Sequence, residues 1–109
     1  MIIAVAGPYS APDADRRAQN LLDMNIAAAR VYEMGHIPFI GVNMALPVVA
    51  HAATDDVYEA IMDISMAVID QCHALLLIGE SPGALRERDH ILAKGLPVYR
   101  SLEEIPPAR

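Results

Sequence analysis

Two short, uninterrupted apolar runs constrain the fold of this chain more than any other feature. Ile2–Ala6 ends at Gly7 and Pro8, and residues 74–78 end at Gly79. A strand that is apolar at every position has both faces buried, as happens in parallel sheets covered by helices. Both runs are too short to cross a membrane. The sequence therefore predicts two central strands of a parallel sheet.

Helical patterns separate these runs from weaker strands. The predicted helices cover residues 13–34, 54–71 and 84–94, and the weaker strands cover residues 36–42 and 96–99. Pro38 predicts an edge position for the first weaker strand, because proline cannot donate to a central ladder. The apolar segment 43–53 is expected to be a short helix or a packed loop. The alternation predicts an α/β doubly wound fold, Rossmann- or flavodoxin-like, with four to five parallel strands and helices on both faces.

Length and composition limit the number of domains and the partners. A chain of 109 residues predicts a single domain over residues 1–109. The net charge of −6 and the lack of a Lys/Arg cluster argue against polymeric nucleic acid as a partner. A content of 54% hydrophobic and 20% charged residues predicts a homodimer or a larger homo-oligomer, with the apolar segment 44–53 as a candidate interface.

Cysteine usage and the first residues of the chain bear on location. The single cysteine, Cys72, cannot form an intramolecular disulfide, which favours a reducing compartment. The run after Met1 lacks the positive n-region of a signal peptide. We therefore expect a cytoplasmic protein with no membrane partner. No Cys/His spacing resembles a zinc site, and we expect neither a metal nor a cofactor.

The doubly wound topology predicts where a ligand binds. In such sheets ligands occupy the crevice beyond the carboxyl ends of the strands, at the switch point of the connections. The loops 7–10 and 79–83 leave the two buried strands and supply small residues and hydroxyl groups. Ser81 and Gly83 precede a predicted helix, where backbone N–H groups favour an anion. A tight turn without a ligand is the alternative.

Charged residues near this crevice have two interpretations each. Glu87 lies one helical turn after Gly83, where it can be a nucleophile or base, or an exposed acid favoured by the helix dipole. His90 shares that face and can equally be a packing histidine. The mixed charged stretch of Asp13, Asp15, Arg16 and Arg17 is either a solvated helix start or the source of an arginine that reaches a ligand from close to the first loop. Spacing alone does not decide these alternatives.

An ordered set of motifs resembles a known superfamily over almost the whole chain. The motifs are Ala6-Gly7-Pro8-Tyr9-Ser10, Asn25, Gly35-His36-Ile37-Pro38-Phe39, Ser81-Pro82-Gly83-Ala84-Leu85-Arg86-Glu87 and Gly95-Leu96-Pro97-Val98. This set is similar to that of the nucleoside 2-deoxyribosyltransferase-like superfamily, which includes nucleoside 5′-monophosphate N-glycosidases. The resemblance implies the doubly wound fold and a nucleoside or nucleotide as the small-molecule ligand.

The resemblance also implies roles for individual residues. Glu87 matches the glutamate that attacks the anomeric carbon and forms a glycosyl-enzyme intermediate. Tyr9 and Ser10 match first-loop residues that contact the nucleotide, and Ser81 matches the phosphate-binding serine of the monophosphate hydrolases. Asp63 and Ser65 both compete for the place of an aspartate that helps with sugar binding or with protonation of the leaving base; Asp63 is the candidate second catalytic residue.

The expected function is cleavage of an N-glycosidic bond, with transfer of the sugar to a base or to water. Gly7, Tyr9, Ser10, Ser81 and Gly83 are the expected substrate-binding residues. A non-catalytic nucleotide-binding or sensing module is the alternative function, because it needs the phosphate-binding loop but no acid for a departing base.

Overall fold

Strands and helices alternate along the chain. The computed structural model describes residues 1–108; Arg109, the last residue of the predicted domain, lies outside the described residues. The elements are β1 (Ile2–Ala6), α1 (Ala14–Glu33), β2 (Ile37–Phe39), α2 (Gly41–Val49), α3 (Val57–Ile69), β3 (Ala74–Leu77), α4 (Pro82–Ala93), β4 (Val98–Tyr99) and a 3₁₀ turn (Leu102–Glu104).

The strands form one parallel sheet in the order β2-β1-β3-β4. The two apolar runs are its central strands, and β2, which contains Pro38, lies at an edge as predicted. Ala6 pairs with Leu77, so the two central strands end side by side. The α/β doubly wound fold is confirmed, with four strands.

The sheet is buried on both faces because its central strands are apolar at every position. Along β1, Ile3 and Val5 belong to one core cluster, while Ala4 and Ala6 belong to the other. Helix α1 covers the first face with residues that include Met24. Helices α3 and α4 cover the second face. Because successive side chains of a strand point to opposite faces of the sheet, one short apolar run contributes to two cores.

Helix α2 begins earlier than the sequence analysis expected. Residues 40–42 were predicted as the end of a strand, but Ile40 is the N-cap of α2, and Val42, Ala45 and Val49 form its buried face. A helical spacing of buried residues therefore replaces the strand pattern. Helix α2 contains Pro47, which cannot donate the usual helical hydrogen bond.

A close approach of α2 and α3 explains the glycine at the start of α2. A Cβ atom on Gly41 would lie 2.9 Å from the Cα atom of Ser65. Because that neighbour is backbone, a side chain at this position would push the helices apart. The contact fixes Ser65 of α3 close to the carboxyl end of the sheet.

Side-chain caps set the beginnings of α3 and α4. Asp56 caps α3 by accepting a hydrogen bond from the Glu59 N–H at 3.0 Å. Helix α4 starts two residues earlier than predicted, because Pro82 occupies its first turn directly after the cap Ser81. The second predicted ligand loop therefore leads into the helix without a break.

The outer surface carries apolar side chains on α2. Met44 and Val48 are 58% and 52% exposed. Both lie in the segment 44–53 that was predicted as an interface, and the oligomeric state stays a prediction. No helix within residues 1–108 is long and apolar enough to cross a membrane.

Candidate functional site

The loops that follow β1 and β3 form one wall each of a cavity at the carboxyl end of the sheet. All five predicted substrate-binding residues and Glu87 line it: Gly7, Tyr9, Ser10, Ser81, Gly83 and Glu87. The cavity volume is about 180 Å³. It lies between the two central strands, where the topology places the switch point. The structure thus brings together every predicted site residue except Asp63.

Side chains of helix α1 hold the first loop in place through hydrogen bonds to its carbonyl groups. The buried Asn20 side chain donates a hydrogen bond to the Tyr9 carbonyl at 3.0 Å. Arg17 donates to the Ala11 carbonyl at 2.6 Å and to the Pro12 carbonyl at 3.1 Å. Arg17 therefore braces the loop. The N–H groups of Tyr9 and Ser10 make no hydrogen bond within residues 1–108.

The second loop presents the N-terminus of α4 to the cavity. The Ser81 hydroxyl accepts a hydrogen bond from the Ala84 N–H at 3.1 Å, and its own O–H stays available to donate. Pro82 has no N–H, so the Gly83 N–H is the first backbone donor of the helix. A side chain at Gly83 would meet the Met62 sulfur at 3.2 Å and narrow the cavity. This wall suits an anionic group.

Glu87 is the carboxyl group of the cavity. It is 8% exposed, which excludes the alternative of an exposed acid. Burial raises the pKa of Glu87 from 4.5 to about 7, because desolvation disfavours the charged form. No opposing charge or hydrogen bond lowers it. Near neutral pH the group therefore populates both the acid, which can donate a proton, and the carboxylate, which a base or a nucleophile requires.

One face of α3 closes the cavity opposite Glu87. Tyr58, Met62 and Ser65 line it at helical spacing. The Arg86 guanidinium lies 5.7 Å from the centre of the Tyr58 ring and pairs with Glu59 at 2.8 Å, which ties the start of α3 to α4. Ser65 is 1% exposed, and its hydroxyl oxygen has no hydrogen-bond partner among the described residues.

Asp63 lies on the other face of α3. Its side chain is exposed and borders a separate apolar hollow beside the edge strand, together with Pro38, Met44 and Ala67. The structure therefore does not bring Asp63 and Glu87 together, and of the two residues that competed for the family aspartate, Ser65 lies in the cavity. The role of Asp63 as a second catalytic residue is not supported by its position within one chain, and it stays a prediction. The helical repeat sends residues two positions apart to different sides.

His90 lies outside the cavity. Its Nε2 atom is 2.8 Å from an Asp70 carboxylate oxygen, and Lys94 lies 3.2 Å from the same oxygen. These contacts lower the pKa of Asp70, mainly through the hydrogen bond with His90. The cluster joins the end of α3 to α4. His90 thus has a structural partner, as the packing interpretation proposed.

Several lining residues were missed by the sequence analysis. They are Val42, Tyr58, Ile61 and Met62. The α3 residues at positions 58, 61, 62 and 65 follow a helical repeat that the sequence already contains. Val42 had no such signal, because it was interpreted as part of a strand. The bracing amide of Asn20 also had none, since a polar residue on α1 is ordinarily exposed.

The fold and the cavity define a Rossmann-like α/β domain with a buried carboxyl group at its switch point. Residues 1–102 match the family model of a domain of unknown function, DUF1937, and the chain belongs to that family. A search of the curated proteins finds no match. Within residues 1–108, no group of three or more His, Cys, Asp or Glu side chains is arranged to hold a metal ion.

Proposed function

We propose that this protein cleaves the N-glycosidic bond of a nucleoside or nucleoside 5′-monophosphate, with Glu87 as the nucleophile. The observation that carries the proposal is the position of Glu87: a buried carboxyl group in a cavity whose opposite walls are the two ligand loops. The resemblance to the nucleoside 2-deoxyribosyltransferase-like superfamily supports this role through the spacing of Ser81, Gly83 and Glu87.

The cavity size favours the enclosure of a sugar. Its volume of about 180 Å³ is below the ~300–1,000 Å³ of pockets that hold whole drug-sized ligands. A pentose and its glycosidic bond would be enclosed, and the base would extend towards the open side. A 5′-phosphate would accept hydrogen bonds from the Ser81 hydroxyl and the Gly83 N–H at the start of α4.

The reaction would proceed in two steps. The Glu87 carboxylate attacks the anomeric carbon, and the C1′–N bond breaks with its electron pair passing to the base. Water, or a second base, then attacks the same carbon and releases the Glu87 carboxylate, and the proton that the attacking group loses neutralises the departed base. The buried setting strengthens the attraction between the carboxylate and the positive charge that develops on the sugar.

Incubation with a panel of nucleosides and 5′-monophosphates tests the proposal. We expect free base in at least one incubation, measured by chromatography, above a control without protein. Addition of a second free base distinguishes the two outcomes of the second step, because a transferase forms a new nucleoside and a hydrolase forms free sugar.

A non-catalytic nucleotide-binding module is the second candidate. It is favoured by one observation: Asp63 lies away from the cavity, so Glu87 is the only carboxyl group among the described lining residues. This candidate predicts nucleotide binding in calorimetry without release of base from any member of the panel. Such a result would replace the enzymatic proposal.

A further inference from the structure

The cavity restricts the base of the substrate more strongly than it restricts the sugar, because the base must depart when the glycosidic bond breaks. A neutral base departs as an anion unless an acid protonates it, and a positioned general acid contributes ~10²–10⁴-fold in rate. The described lining of the cavity contains hydroxyl groups, among them Ser65, and one carboxyl group, Glu87. If Glu87 attacks the sugar, it cannot donate a proton to the base in that step.

Ser65 is the polar residue that α3 contributes to the buried part of the cavity. Its hydroxyl group is buried, lines the cavity and has no partner among residues 1–108, so it is free to bond a ligand. A serine hydroxyl is a hydrogen-bond donor but, unlike a carboxylic acid, it does not give up its proton near neutral pH. The carboxyl group of Asp63 borders a different hollow.

The charges around Glu87 favour a cation in the cavity. Lys, Arg and His side chains are absent from the described lining, and the carboxyl group is buried without a positive partner. A positive charge on the base would still be attracted by the carboxylate from the open side, because the cavity between them screens the attraction less than bulk water does. Tyr9 also lines the cavity, and an aromatic face attracts a cationic ring.

From these observations we propose that the substrate is an N-glycoside whose base carries its own positive charge, such as an N-alkylated purine or a pyridinium ring. The proposal rests on the proposed function. Glu87 attacks C1′, the C1′–N bond breaks, and its electron pair neutralises the cationic ring, which leaves as a neutral base without any added proton. Water then attacks C1′, the Glu87 carboxylate departs, and the proton of the water passes to solvent.

A matched pair of nucleotides tests the proposal: 7-methylguanosine 5′-monophosphate, whose ring is cationic in mildly acidic buffer, and guanosine 5′-monophosphate. Nicotinamide mononucleotide serves as a second cationic substrate. We expect kcat/KM for the cationic member of the pair to exceed that for the neutral one by at least about 100-fold, the contribution of a missing acid. Comparable values for the two would overturn the proposal.

The variant Ser65→Asp places a carboxyl group at position 65, where the parent has an unpartnered hydroxyl group. It should raise kcat/KM for guanosine 5′-monophosphate by about tenfold or more, with circular dichroism and a melting curve to show that the variant is folded. If the variant fails to fold, the parent with the matched pair still decides. Loss of neutral-base cleavage in Tyr9→Phe or Tyr58→Phe would identify a phenol as the acid and also overturn the proposal.

Glu87→Gln separates this proposal from the proposed function. Release of neutral bases that needs Glu87, without release of cationic ones, would leave the N-glycosidase function in place and exclude the cationic substrate. No release from any substrate by the parent would exclude both.

Discussion

Helix α3 has two faces, and they border two very different surfaces. The face with Tyr58 and Ser65 closes a small cavity that contains a buried carboxyl group. The face with Asp63 and Ala67 borders an open hollow of about 790 Å³ beside the edge strand, lined mostly by apolar atoms. The orientation of a residue around the helix axis, and not its proximity in sequence, therefore decides which polar side chain of α3 lines the cavity.

The largest expected effect is on turnover in the cavity. Glu87→Gln should lower the rate of base release by at least roughly 1,000-fold, because the nucleophile is lost. Nucleotide affinity, measured by calorimetry, should change little, since Ser81 and the backbone donors still hold the ligand. A folded Glu87→Gln variant that releases base as fast as the parent would refute the nucleophile assignment.

The second effect concerns stability and distinguishes a buried from an exposed carboxyl group. Glu87 has a pKa of about 7 in the folded state against 4.5 in the unfolded state, so the folded state binds the extra proton. Stability should therefore fall as the pH rises from about 4.5 to about 7, by up to ~3 kcal/mol. Glu87→Gln should remove this decline.

Urea denaturation at mildly acidic and mildly alkaline pH measures the difference. The exposed Glu103→Gln is the matched control and should keep the pH dependence of the parent. Equal declines in the parent and in Glu87→Gln would mean that the carboxyl group is solvated.

A smaller effect, on ligand affinity, is expected at the start of α4, where the cavity suits an anionic group. Ser81→Asp keeps a side chain that caps α4, so the fold should persist. The added charge would repel a 5′-phosphate; two unit charges about 4 Å apart interact by about 4 kcal/mol near a protein surface. We expect the Kd of a 5′-monophosphate to rise tenfold or more, as about 1.4 kcal/mol corresponds to tenfold.

Calorimetry with the matching nucleoside provides the control for Ser81→Asp. Its affinity should change much less than that of the monophosphate, because it carries no phosphate. Equal weakening of both ligands would count against a phosphate site at the start of α4.

The smallest effect is expected on the other face of α3. Asp63→Asn should leave base release within about twofold of the parent, because exposed substitutions away from a site change energies by about 0.5 kcal/mol or less. Steady-state kinetics on the same substrate checks this. A loss as large as that of Glu87→Gln would show that the two faces act together, for instance across two subunits.

The sheet could be predicted from the sequence because short apolar runs permit few folds. Burial of β1 and β3 on both faces follows from side chains that are apolar at every position. The start of α2 could not be predicted, because Ile40 and Val42 suit a strand as well as a helix. The close approach of Gly41 to Ser65 joins residues that are distant in sequence, and a local pattern does not contain such a contact.

The loops of the candidate site could be predicted for a similar reason. In a doubly wound sheet the topology brings the ends of the central strands together, and the loops with Tyr9 and Ser81 follow directly. Prediction of which α3 residues face the cavity requires the helical spacing as well as the topology. The resemblance implies Asp63 or Ser65 at the family aspartate, and the spacing of Tyr58, Met62 and Ser65 marks the face of α3 that lines the cavity.

Identification of the residue that bonds to the sugar during turnover is the strongest test of Glu87 as the nucleophile. The protein would be mixed with a 2-fluoroarabinosyl nucleotide that it cleaves slowly, quenched in acid and mapped by peptide mass spectrometry. We expect one glycosyl adduct, on the peptide that contains Glu87, and none in Glu87→Gln. Release of base with no adduct at Glu87, or with an adduct on another residue, would contradict it.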